Sequence, residues 1–411
     1  TTATITLTPV PDTLVEGLEL VTVSVTANAA YTIGTAASAT ATIVDDELTS
    51  GTMLFADTFD IYDNIFNWNM NYGGYDAYAE SGYDYSVHGI PEAPNSTGTY
   101  QPTRGLKLDV NRSGQADCGF SMSPMNASFT GDYRLRFDAW INFNGPLSGG
   151  GPASSEFLSA GVGTTGVEPV WNLGTATEGV WFAVDGDGGF LDTGVPGDFQ
   201  AWTGSTLLLA NSGAYAGGTA ADVRGNFHPY YSPWGGMAAP AQQVTDYPTA
   251  QTGTTDAGTL GMAWHSFVIT RQGTNVTWDV DGLRIAKVNI SGLTLSTNIL
   301  LGYSDQFQSA GNGDQPLRFA IVDNVKVETL PPPPAAEPEI AFIQLINNGT
   351  QVQIDFSGSV GELASAFTLQ AATDVAGSFA DVTATITAQG GNKFRAVRAV
   401  NGATQFYRVR R

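Results

Sequence analysis

The chain is poor in cysteine, base, histidine and long apolar runs. Its single cysteine, Cys118, rules out an intrachain disulfide. Only 17 Lys and Arg stand against 39 Asp and Glu, and the formal net charge of −22 argues against nucleic acid as a partner. No run of about 18 apolar residues occurs, so no membrane span is expected. The three histidines, His88, His228 and His265, have no Gly-x-Ser-x-Gly elbow to serve, and zinc does not fit this inventory. The 49 Gly and 20 Pro in 411 residues, with only 14% charged residues, predict an all-β chain with long loops. Scarce cysteine, and an opening Thr1-Thr2-Ala3 without Met or leader, fit a secreted, extracellular or cell-surface bacterial protein whose export signal is removed or lies upstream.

Strand-period alternation first shows in residues 3–8, where Ile5 and Leu7 share one face and Thr4, Thr6 and Thr8 the other, before Pro9 ends the run. Val21, Val23 and Val25 repeat the pattern, and a third strand is expected over 37–44. A large region, 52–329, holds further expected strands at 106–110, 133–143, 180–185 and 264–270, and a hairpin over 276–285 turning at Asp281-Gly282. A Gly-, Ala-, Thr- and Pro-rich insertion without clear period interrupts it at 186–262. The segment 330–339, with Pro331 to Pro334, reads as a stiff extended linker, and 340–411 as a small set of alternating strands.

Three resemblances follow. Asp12 to Glu19, Tyr31-Thr32-Ile33-Gly34 and Ala39-Thr40-Ala41-Thr42-Ile43-Val44-Asp45-Asp46-Glu47 resemble the second half of a Calx-beta domain, which makes 1–48 a partial β-sandwich. Leu54-Phe55-Ala56-Asp57-Thr58-Phe59-Asp60 and Phe319-Ala320-Ile321-Val322-Asp323-Asn324-Val325, with the strands between, resemble a concanavalin A-like, laminin-G-like jelly roll. The last segment, ending Phe406-Tyr407-Arg408-Val409-Arg410-Arg411, looks like the small C-terminal β-sandwich of some bacterial secreted proteins. The expected architecture is a jelly-roll sandwich flanked by these two smaller pieces.

Oxygen-rich loops make calcium the one cofactor to expect. The Calx-beta resemblance implies ligands at Glu16, Asp45 and Asp46, and loop chemistry adds Asp185 with Asp187, and Asp305 with Asp314. The competing reading of those loops is turn-forming Asp and Gly. Two aromatic tracts stand out: one in an acidic stretch that includes Trp68, Tyr72, Tyr78 and Tyr83, and one in the insertion with Tyr230, Tyr231 and Trp234. Such rings can stack on sugars, anchor an interface or fill a loop core. The glycan candidates are Trp68, Tyr72, Tyr230, Tyr231 and Trp234. No strand of the large region carries the closely spaced carboxylate pair of a jelly-roll glycosidase, so an enzyme is not expected.

Half a sandwich leaves edges unpaired and an apolar face open. Residues 1–50 hold six acids and no Lys or Arg, whereas bases crowd the last strands at Lys393, Arg395, Arg398, Arg408 and Arg410. The leading expectation is a structural protein whose copies join head to tail into a filament or surface layer by strand complementation, with Thr4, Ile5, Thr6 and Leu7 meeting Arg408 and Arg410. The alternative is a carbohydrate-binding adhesin module that uses the jelly roll.

Overall fold

The computed structural model describes residues 19–24, 38–43, 51–74, 76–96, 101–113, 118–148, 155–192, 194–306, 315–330, 338–358, 362–375, 378–400 and 405–410. The chain divides into two compact units, Thr1–Leu330 and Pro331–Arg411. The described residues are almost all strand or loop, and every strand pairing is antiparallel. At the start of the first unit, Glu19–Ser24 pairs with Ser38–Ile43.

Two large sheets form the body of the first unit as a jelly-roll sandwich. One has seven strands in the order Thr206–Leu207, Phe199–Thr203, Val180–Asp185, Glu156–Thr164, Asn298–Asp305, Cys118–Pro124, Trp68–Tyr72. The other runs Leu283–Asn289, Asn275–Val280, Trp264–Gln272, Tyr133–Asn142, Phe319–Thr329, Arg104–Val110, Ala77–Asp84, and Met53–Asp57 adds to Phe319–Thr329. Side-chain alternation decides which face turns inward. Val276, Trp278 and Val280 enter the core between the sheets while Asn275, Thr277 and Asp279 stay partly open. The hairpin turns as expected at Asp281 (φ 49°) and Gly282 (φ 77°), the positive-φ pair that a two-residue β-turn of this twist requires.

Strands in the middle of the seven-stranded sheet are buried on both faces. On its outer side Trp181 stacks on Trp202 (centroids 4.8 Å apart, 8° between planes), and Val170 and Phe190 join that layer. The outer side of the eight-stranded sheet is covered only in part, where Tyr85, Ile90, Ala239 and Met262 lie over Trp140, Phe319 and Ile321.

The insertion is built into the sandwich. It supplies the strand Phe199–Thr203, which pairs with Val180–Asp185, and a single short helix, Ala241–Asp246. Tyr231 stacks on Phe199 at 4.0 Å, and Trp234 Nε1 donates to Asp281 Oδ2 at 3.0 Å.

The second unit pairs Glu339–Ile346, Gln351–Ser357, Lys393–Ala399 and Thr385–Gly390 in one sheet, and Ala380–Asp381, Thr368–Ala372 and Phe406–Arg410 in another. Phe356, Phe367 and Phe394 form the ring cluster at its centre.

Candidate functional site

The structure removes three residues from the expected glycan set. Trp68 is 2% exposed and its Nε1 donates to Asp57 Oδ2 at 2.9 Å; Tyr231 is wholly buried with its hydroxyl on the Val223 carbonyl at 2.8 Å; Trp234 is buried over the hairpin turn. In each case the ring fills the sandwich and its polar tip is satisfied inside, so no face is left for a sugar. Tyr230 is half-buried and donates to the Arg284 carbonyl, while Tyr72 lies exposed at the end of an edge strand.

The metal expectations fare similarly. Glu16, Asp45, Asp46 and Asp314 lie outside the described residues, as do Thr4 to Leu7. Asp305 is a correction: it is fully buried, and its oxygens accept from Ser155 Oγ (2.6 Å) and Asn111 Nδ2, so it acts as a structural acceptor. Asp185 is buried, accepts from the Gly188 amide at 2.9 Å, and has Asp198 beside it. Burial followed by the Asp198 charge pushes Asp185 well above the carboxylate range, and burial raises Asp198 as well. Asp187 adds to the same negative field. Among the described residues no group of three His, Cys, Asp or Glu is arranged to hold a metal ion.

A different surface combines exposed rings with polar groups. Ala77–Asp84 and Arg104–Val110 form one end of the eight-stranded sheet. Ala77 and Ala79 face the core, which turns Tyr78 and Glu80 outward, and the register sets Tyr78 opposite Asp109 and Glu80 opposite Lys107. A bulge between Glu80 and Tyr83 brings Tyr83 to the outer face. Gly82 is required there: its φ is 73° and a Cβ would meet the Tyr62 backbone nitrogen at 2.7 Å. The turn Tyr85–His88, capped by Asp84 accepting from the Ser86 amide, returns His88 to within 2.6 Å of the Tyr83 hydroxyl.

Lys107 Nζ lies 5.1 Å and 5.0 Å from the ring centres of Tyr83 and Phe319, and 3.3 Å from Asp109. Arg112 sits 4.8 Å from the Tyr78 ring centre and 3.5 Å from the same carboxylate. Burial and then Lys107 lower the His88 pKa, so its imidazole is neutral at pH 7. Burial and then Glu80 push Tyr83 up to about 12. The Tyr83 hydroxyl and His88 Nε2 thus share one hydrogen bond between two neutral groups. The result is a surface of ring faces and N–H donors with Glu80 as its open carboxylate, Asp109 lying buried beside the two cations, and this is an inventory that holds a sugar ring by stacking and by its hydroxyls.

Tyr78 and Tyr83 belong to the aromatic tract visible in the sequence. His88 reaches Tyr83 through the short turn between them, whereas Lys107, Asp109 and Arg112 come from a later stretch that strand pairing sets beside the tyrosines.

One pair of carboxylates that the fold brings together is sealed. Asp138 and Asp323 lie opposite each other on neighbouring strands, both essentially without exposure. Asn95 and Asn324 donate to Asp138, and Tyr85 and Ser96 to Asp323. Burial raises Asp323 to about 8, against the hydrogen bonds it accepts.

No protein-family model and no curated protein sequence matches the chain. Among solved structures it is similar to a Bacillus subtilis protein of galectin-like fold (10% identity, 68% of this chain and 97% of that one, TM-score 0.35). It is also similar to the carbohydrate recognition domain of Emp46p in its potassium-bound form (8% identity, 68% and 95%, TM-score 0.33). A third is the exoplasmic/lumenal domain of VIP36 in its Ca2+/Man-bound form (10% identity, 72% and 91%, TM-score 0.32). These alignments are too distant to carry any residue's role across.

Proposed function

We propose that the jelly roll of the first unit is a non-catalytic carbohydrate-binding module, and that its contact surface is the outer-face patch built on Tyr78, Tyr83, Lys107 and Arg112. The observation that carries this is the meeting of an exposed ring, Tyr78, with two cations and two carboxylates on one sheet end. Two carboxylate pairs, Asp138 with Asp323 and Asp185 with Asp198, are buried, and Asp109 of the patch is engaged by both Lys107 and Arg112, which favours binding over hydrolysis. The test is a polysaccharide and glycan-array screen of the full chain beside Tyr78→Ala and Arg112→Ala. Both side chains are exposed enough to change without unfolding the sheet. Ligands that lose binding in these variants support the reading; a screen without ligands, or ligands indifferent to both variants, overturns it.

Calcium is retained in this proposal only at Asp185 with Asp187, two loop carboxylates whose remaining ligands would be backbone oxygens and water. With this goes an extracellular or cell-surface setting. No helix among the described residues is long and apolar enough to cross a membrane.

A second reading, self-association of copies, is favoured by one observation in the second unit. The strand Glu339–Ile346 carries Phe342, Ile343 and Leu345 exposed at the edge of its sheet. Molar mass against concentration tests it: a mass that rises supports association, and a constant monomer mass removes it.

A further inference from the structure

The two sheets of the second unit differ in width, four strands against three. Register sets Ile343 opposite Ile354 and Leu345 opposite Val352, and both partners are buried in the core. Residues directly opposite share a sheet face, so Ile343 and Leu345 point to the core side. They are nevertheless 47% and 65% exposed on this edge strand.

The result is an apolar groove of about 490 Å³ walled by Ile343, Leu345, Val352, Phe406 and Tyr407. Phe406–Arg410, one wall, is an edge strand paired only with Thr368–Ala372 among the described strands. Arg398, opposite Val352 on the next strand, is 8% exposed; its guanidinium lies 5.8 Å from the Tyr407 ring centre, and its Nη1 has no hydrogen-bond partner among the described residues. A buried guanidinium nitrogen without an acceptor is costly, and an unpaired strand beside an open apolar trough is a template for another strand.

We propose that this groove accepts residues 3–8 of a second copy as an added strand beside Phe406–Arg410, a step that rests on the self-association reading and names its joint. Ile5 and Leu7 would enter the trough over Ile343 and Leu345, and Thr4, Thr6 and Thr8 would face outward. Pro9 limits the added strand to this length. Charge fits the segment that follows this uncharged donor: Asp12, Glu16 and Glu19 come after it with no Lys or Arg in residues 1–50, and the acceptor strand carries Arg408 and Arg410. Donor and acceptor are different segments of the chain, so each bound copy exposes a fresh groove and the addition is open-ended.

The experiment measures molar mass against concentration for the full chain, for a variant lacking residues 1–9, and for Ile5→Asp and Leu345→Lys. The exposure of Leu345 means its variant folds, which circular dichroism verifies. The expected result is association in the parent chain and a loss of about tenfold or more in each of the three variants. A peptide of residues 1–11 should then bind the truncated chain, and fail to bind it when Leu345→Lys is added. A parent chain that stays monomeric overturns both the self-association reading and this joint. Association that survives the truncation overturns the donor alone, and if it still responds to Leu345→Lys the partner is the same edge of another copy. Ile5→Cys with Leu345→Cys, in a Cys118→Ser background, should cross-link separate copies; a link confined to single chains overturns the assignment to a second copy.

Discussion

Compare the strand Asn275–Val280 in the first unit with Glu339–Ile346 in the second. The first, NVTWDV, has three apolar side chains, all buried. The second, EIAFIQLI, is more apolar, yet most of its length is exposed. Asn275–Val280 lies inside its sheet, under Phe182 and Phe199 of the facing sheet. Glu339–Ile346 lies at the edge of its sheet, and its apolar side chains border a groove rather than a packed layer. Apolar sequence alone therefore does not bury a strand; a second layer of matching width does. Where that layer is missing, the same chemistry that makes a core makes a binding surface.

The comparison breaks most sharply under core truncation. Trp278→Ala should cost the first unit about 3–5 kcal/mol, because it leaves a large cavity among packed rings. Leu345→Ala should change the second unit's unfolding by no more than about 0.5 kcal/mol, as for other exposed substitutions. Scanning calorimetry with each unit's transition assigned checks both, and similar costs would erase the distinction.

The two units should also respond to pH with opposite sign. Asp323 has a folded pKa raised to about 8 by burial. Between its unfolded value of 3.8 and that point the native state holds the extra proton, so the stability it contributes is present at low pH and lost as pH rises toward 8. Asp323→Asn should flatten the first unit's decline in melting temperature over this range. In the second unit, Asp355 is held below its ordinary value by hydrogen bonds from Arg395 at 2.7 and 3.0 Å. Its contribution is present above its unfolded pKa and is lost as pH falls through the lowered one. It is also small, since the pair lies at the surface. A rise in stability of the first unit from pH 4 to pH 8 would contradict the assignment of Asp323.

Calcium should act on the first unit alone. Millimolar calcium, on the order of extracellular-site affinities, should raise its melting temperature at pH 8 by about 1–3 °C, and Asp185→Asn should remove the rise. No change at any pH would leave the Asp185–Asp198 pair as a proton-sharing loop clasp.

Much of the scaffold was legible in the sequence. The strands expected at 106–110, 133–143, 180–185 and 264–270 fall on Arg104–Val110, Tyr133–Asn142, Val180–Asp185 and Trp264–Gln272: the last keeps the period-2 pattern of a half-buried strand, whereas Val180–Asp185 shows as a short, almost unbroken apolar run buried on both faces. The insertion hid its strand Phe199–Thr203, which is buried on both faces for most of its length and so shows no alternation. Aromatic type was a poor guide to the site. Trp68, Tyr231 and Trp234 look like sugar platforms in sequence, but a ring that can stack on a sugar can equally stack on Phe59 or Phe199. The cations that complete the patch, Lys107 and Arg112, were invisible because register, not proximity in the chain, sets them beside Glu80 and Tyr78.

The most direct test of the account is the affinity of the full chain for the best ligand of a glycan screen, measured beside Tyr78→Ala. Removing one exposed stacking ring and its Arg112 contact should weaken binding by about 2- to 10-fold while the melting temperature holds. Unchanged affinity, or a screen in which no glycan binds, would contradict the claim that this end of the eight-stranded sheet is the functional surface.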